Sequence, residues 1–250
     1  MGHDPAVEPL LDRDSLAAPW FEAVRDVAAL LPVSSRWPTV AELDAALSPS
    51  AGVRFVAGHK VRRRRRRDRA IDGDALYEIR IASRREVPTR AHSAHDLLNA
   101  LAWASFPAGK WALAEQLASA QRARLASHPW RLPGARTRRH DRLALLDEGG
   151  VLLAAREPCP PGDELAAALA DGRARALVFG HALLEHALAG CLDVWGAALW
   201  LPVAPIAGES TAALRARLDL ALAEALAGGA VLDEPAPWPR LPLAALAAAT

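Results

Sequence analysis

The apolar pattern changes period several times along the chain, and each change marks an element. Between Trp20 and Leu31 a short apolar pattern interrupts acidic residues and prolines. It predicts one helix within a loosely packed N-terminal arm, residues 1–36. Thr39, with Glu42 three residues on, predicts a capped helix reaching Leu47. Val53 to Ala57 reads as a strand ended by Gly58. Leu76 to Ala82 alternates, with Leu76, Glu78 and Arg80 set against Tyr77, Ile79 and Ile81, and predicts a half-buried strand. Ser93, with Asp96 three residues later, opens the clearest helical pattern, which Pro107 ends.

A second helix is expected over 109–127, then a loop at Pro129, Pro133 and Gly134. Leu143 to Leu146, the turn Asp147-Glu148-Gly149-Gly150, and Val151 to Ala155 together predict a β-hairpin. After a linker at Pro158, Pro160, Pro161 and Gly162, helices are expected at 163–171 and 174–189. A strand follows at Trp195 to Val203 and a long helix at Ser210 to Ala227. The elements sum to one α+β domain over 37–250, a small, mostly antiparallel sheet packed with several helices.

Composition narrows the class. At 52% hydrophobic and 24% charged residues, the chain is globular. Its longest apolar stretch, Trp195 to Ala207, is broken by Pro202 and Pro205 and falls short of the roughly 20 residues of a span. The N-terminal region is acidic, unlike a secretory leader, and Cys159 and Cys191 form no CxxC pair. A cytoplasmic protein without a membrane partner is the expectation.

Charge is uneven. Residues 1–50 hold 3 basic and 8 acidic side chains, whereas residues 60–90 hold 12 basic and 5 acidic. Six consecutive arginines, Arg62 to Arg67, repel one another, so 58–74 is expected to be a mobile, solvated basic loop. The run would give nucleic acid or another polyanion a salt-dependent contact, although no aromatics interleave it for base stacking.

Residue usage points to candidate chemistry. Of the 30 basic residues 28 are arginine, and the chain has one tyrosine and one asparagine. A GC-biased genome would drain Lys, Asn and Tyr wherever they are dispensable. Tyr77, Asn99 and Lys110 survive within one short stretch. His95 and Asn99 are four apart on one helix, and His181 and Glu185 are four apart on another, so each pair shares a face. Neutral imidazoles and carboxylates projecting from two helices suit acid–base chemistry or a divalent ion such as Zn or Mn. No cofactor motif is evident. Asp147 and Glu148 are further candidates, as carboxylates aimed from a turn. Arg90, Lys110, Tyr77 and Arg80 are candidates for binding an anionic substrate. Each has a structural counterpart: a helix-bridging hydrogen-bond network, a turn acid, or a salt bridge such as Glu78 with Arg80.

The order of motifs resembles a proteobacterial family, domain of unknown function 3025. The matching pieces are Val53-Arg54-Phe55-Val56, Tyr77-Glu78-x-Arg80-Ile81, Val87-Pro88-Thr89-Arg90, and His95-Asp96-Leu97-Leu98-Asn99-Ala100-Leu101-x-Trp103. Phe106-Pro107-x-x-Lys110, Asp141-x-Leu143, Leu146-Asp147-Glu148-x-Gly150 and Phe179-Gly180-His181-Ala182-Leu183-x-Glu185 continue the series, which covers residues 37–190. The resemblance implies a site-bearing fold and carries no assigned reaction. The arginine run, Ala94 before the His-Asp pair, and the reduced tail around Leu241-Pro242-Leu243 depart from the family pattern. Two readings stay open: a metal-assisted hydrolase acting on an anionic substrate, or a non-catalytic binding protein whose polar residues are structural.

Overall fold

The structure is a computed structural model and describes residues 11, 13–58, 73, 76–127, 137–158, 162–233 and 237–249. The expected basic loop with Arg62 to Arg67, the loop at 129–134 and Cys159 lie outside the described residues.

Short helices α1 (Arg13–Ala17) and α2 (Arg25–Ala28) lead into α3 (Val40–Ala51). The expected capping box is present: Thr39 Oγ1 accepts from the Glu42 amide at 3.2 Å, and Glu42 Oε2 accepts from the Thr39 amide at 2.8 Å. Strand β1 (Arg54–Ala57) pairs in parallel with β2 (Glu86–Thr89), and helix α4 (Tyr77–Arg84) precedes β2. Helix α5 (Ala94–Ser105) starts at Ser93, whose hydroxyl accepts from the Asp96 amide at 3.3 Å. Pro107 both ends α5 and occupies the first position of α6 (Pro107–Ser127). A missing amide hydrogen costs nothing there.

Helix α7 (Arg138–Gly149) runs straight into β3 (Gly150–Ala155). Then come α8 (Asp163–Ala170), β4 (Ala174–Val178), α9 (His181–Leu188), β5 (Trp195–Leu201), α10 (Thr211–Gly228), α11 (Ala230–Asp233) and β6 (Arg240–Pro242). The main sheet has the order β4-β3-β5-β6. Strand β3 is buried along its whole length and feeds two cores alternately. Val151, Leu153 and Ala155 face the larger core with α5, α8 and α9, while Leu152 and Ala154 face Leu214, Leu218, Leu222 and Leu226 of α10.

The α+β class holds, with one refinement to the sheet. β3/β4 and β5/β6 are antiparallel, but β3/β5 and β1/β2 are parallel. Other expectations change. The alternating stretch 76–82 is helical: Leu76 and Ile79, three apart, pack together against Ala118 of α6, while Ile81 enters the main core. An alternating apolar run this short also satisfies an i, i+3 contact. The expected hairpin at 143–155 is a helix joined directly to a strand. Asp147 and Glu148 therefore sit in a last helical turn, not a hairpin tip. The first five residues of the expected helix 174–189 are β4, pairing with β3 despite helix-favouring Ala, Arg and Leu. The N-terminal arm is not loose over its described part: Phe21, Val24 and Ala28 are buried in the main core. No helix among the described residues is long and apolar enough to cross a membrane.

Candidate functional site

Helix α5 packs on α9, which places the second residue of one, His95, against the first residue of the other, His181. Their Nε2 atoms are 3.1 Å apart and the rings meet edge to face, with centroids 4.5 Å apart. Glu185, one turn further along α9, lies 2.8 Å from His95 Nδ1. A carboxylate accepts only, so Nδ1 of His95 carries the proton and Nε2 keeps its lone pair. Nδ1 of His181 is buried and makes no well-formed hydrogen bond; the Asp147 backbone is the nearby group acting on that ring. Glu148 completes the group, with Oε2 3.6 Å from His181 Nε2. One ligand atom from each of His95, His181 and Glu148 lies within 4.8 Å of the others.

Behind this outer cluster lies an inner one. Lys110, 2% exposed, donates to Asn99 Oδ1 at 2.8 Å and to Asp147 Oδ1 at 2.5 Å. Asn99 Nδ2 donates to the Tyr77 hydroxyl at 3.1 Å. The Lys110 ammonium also lies over the rings of Trp103 and Phe179.

The two clusters meet because the backbone makes room. A Cβ on Gly180 would stand 2.4 Å from the Gly150 amide nitrogen and 2.5 Å from that of Gly149. Only glycine lets the start of α9 abut the end of α7, which sets Asp147 and Glu148 beside His181. The electrostatics divide accordingly. Burial holds the His181 imidazolium down, to a pKa of about 4. Burial and then the neighbouring Asp147 charge raise the Glu148 carboxyl. Burial alone would raise Asp147, but the Lys110 charge, reinforced by His181, outweighs it and leaves the carboxyl below its usual value. Both clusters border a cavity of about 300 Å³ that also reaches Arg90 and Asp96. Glu148 borders a second, larger cleft of about 1040 Å³ as well, flanked by Trp195, Trp238 and Arg142.

Of the residues expected at a site, His95, Asn99, His181, Glu185, Asp147, Glu148, Tyr77 and Lys110 converge. Lys110 does so as the buried partner of Asn99 and Asp147, not as a surface anion binder. Arg90 borders the cavity while its guanidinium holds Asp96 through two contacts, at 2.9 and 2.7 Å. Burial opposes the ionised Asp96, yet the Arg90 pair keeps its carboxyl below the usual range. Asp96 was expected as the return half of a capping box and is instead this clamp. Arg80 falls away from the site, pairing with Glu86 at 2.6 Å, not with Glu78. The helix at 77–84 no longer puts Glu78 and Arg80 on one face. The close approach at Gly180 has a sequence signal in the glycine directly before His181 and the pair Gly149-Gly150 after Glu148.

A family model described as a protein of unknown function, DUF3025, matches residues 65–249. The chain belongs to the DUF3025 family. The match takes in α4 to the 3₁₀ segment Leu243–Ala249, and so all of the residues that form the two clusters. It extends past the stretch of quoted motifs into the tail, and it leaves β1 and α3 upstream. No curated protein and no solved structure matches the chain.

Proposed function

We propose that His95, His181 and Glu148 hold a divalent metal ion of the Zn or Mn class and that this DUF3025 protein is a metal-assisted hydrolase of an anionic substrate. One observation carries the reading: two imidazole Nε2 atoms stand 3.1 Å apart with a carboxylate beside them. Metal–nitrogen bonds of about 2.0–2.1 Å place tetrahedral ligand atoms roughly 3.3 Å apart, close to this spacing. Glu185 on the far nitrogen of His95 is the carboxylate–histidine arrangement that fixes a ligand's tautomer and raises its basicity. The low proton affinity of His181 keeps its ring neutral, as ligation needs. Three protein ligands leave a position open toward the cavity.

A bound ion would supply Lewis acidity and an activated water. The chain's own residues do the rest. Glu148, half-exposed, brings the carboxylate of the ligand set in from the last turn of α7. Arg90, which lines the cavity while paired with Asp96, gives the cavity a cationic edge for the substrate's anionic group. Contact with nucleic acid through Arg62 to Arg67 belongs to the alternative reading of a binding protein, and DNA binding that does not weaken when those arginines are replaced would eliminate it.

A second reading, a structural hydrogen-bond network, is favoured by the inner cluster, where Lys110, Asn99 and Asp147 satisfy one another. Metal analysis decides. Purified protein should carry stoichiometric Zn or Mn that His181→Ala loses while remaining folded. Wild-type protein that takes up no metal, with His181→Ala merely less stable, leaves only the structural network.

A further inference from the structure

We infer that Tyr77 is a fixed hydrogen-bond donor to an anionic oxygen of the ligand in the cavity beside His95 and His181. The inference rests on the proposed anion site and deepens it. It follows from the direction of a hydrogen-bond chain. An ammonium can only donate, so the Asn99 atom facing Lys110 must be its carbonyl oxygen. The amide's other end is then its NH₂, and this faces the Tyr77 oxygen at 3.1 Å. The phenol oxygen therefore accepts from Asn99, and its own hydrogen is left for another partner.

Among the described residues no acceptor takes that hydrogen, while Tyr77 borders the cavity that His95, His181 and Arg90 also border. Lys110 thus sets the polarity of a group it does not touch, with Asn99 as the positioning residue between them. Tyr77 is 41% exposed as a residue, but crowding around its hydroxyl end and then the Asp147 charge raise the phenol's pKa, so it stays protonated. A neutral donor of this kind stabilises charge on a ligand oxygen without adding a counter-charge to the site.

Tyr77 is the only tyrosine in the chain, so protein labelled with ¹³Cζ-tyrosine gives a single resonance. Inorganic phosphate, titrated with and without zinc, should move that resonance saturably. Tyr77→Phe should weaken phosphate binding by about tenfold or more while zinc affinity, read by competition with a chromogenic chelator, is unchanged. In Asn99→Asp the carboxylate would take the phenol hydrogen, so phosphate should no longer move the resonance. A resonance indifferent to phosphate in the wild type, or wild-type phosphate affinity in Tyr77→Phe, overturns the inference. Failure of zinc to bind counts against the metal reading alone, because the phosphate titration of zinc-free protein still decides for or against Tyr77.

Discussion

Two polar clusters share helix α5, one turn apart, and they solve opposite problems. In the inner one, the buried Lys110 ammonium has Asn99 and Asp147 as acceptors, and two aromatic rings beneath it. A buried charge is tolerable only when paired and hydrogen-bonded, and this one is. In the outer one, His95 turns a lone pair toward the Nε2 of His181, Glu148 is half-exposed, and the buried Nδ1 of His181 is without a well-formed bond. The charge-assisted closure in the outer cluster is Glu185 on His95 Nδ1, while the His95, His181 and Glu148 side chains border the cavity. The contrast teaches that polar side chains on neighbouring helices serve stability where they satisfy one another, as Lys110 does with Asn99 and Asp147, and reserve capacity for a ligand where they do not.

The largest expected effect tests the inner half of that contrast. Lys110→Met should cost about 4 kcal/mol of unfolding free energy in denaturant titration, because the Asp147 carboxylate is left buried beside an apolar side chain. Lys110→Met with Asp147→Asn should recover much of the loss, since no lone charge remains. A single variant with wild-type stability would show that the inner cluster is not the structural one.

Proton linkage separates the clusters by pH in metal-free protein. The folded pKa of His181 is about 4 against 6.5 for a free imidazole. Between these values the unfolded chain binds the proton and the folded chain does not. Stability therefore rises with pH across that window, and acidification from 6.5 to 4 removes roughly 3 kcal/mol. His181→Gln should abolish that slope. Asp147 acts lower on the scale: its depressed folded pKa gives stability that is present above the usual value of 3.8 and is lost as pH falls through the folded one. Wild-type and His181→Gln proteins with the same stability profile between pH 6.5 and 4 would contradict the burial argument.

The sequence revealed which residues belong together better than it revealed the elements that carry them. Caps at Thr39 and Ser93 are local, formed within three residues, and so were legible. Strand β5 and helix α10 were legible from long, uniform patterns. Helix α4 and strand β4 were not, because each is short and tertiary neighbours outweigh propensity: Ala118 for α4, strand β3 for β4. Asp147-Glu148-Gly149-Gly150 had the composition of a turn, yet the glycines serve the crossing with Gly180. The i, i+4 pairs correctly located His95 with Asn99 and His181 with Glu185. Spacing could not show that His95 and Asn99 would serve different clusters, since that depends on which helix lies opposite each.

The junction that joins the clusters gives an intermediate effect. Gly180→Ala places a methyl against the amide nitrogens of Gly149 and Gly150, and the chain must shift. A cost of about 2 kcal/mol is expected, together with weaker metal binding, because Glu148 and His181 move apart. Loss of stability with unchanged metal affinity would mean that Glu148 is not held in place by this contact.

The smallest expected change in stability is the most telling about the outer cluster. Glu185 is 40% exposed on its side chain and touches His95 alone among the polar groups of the site. Glu185→Gln should alter unfolding free energy by less than about 0.5 kcal/mol, as surface substitutions do. The amide can still hold the ring, but it no longer raises the basicity of His95. Metal affinity should therefore fall by about tenfold, seen as faster zinc loss to a chelator. The opposite result, an appreciable loss of stability with zinc uptake unaffected, would make Glu185 a strut between α5 and α9 and move the outer cluster into the same structural class as the inner one.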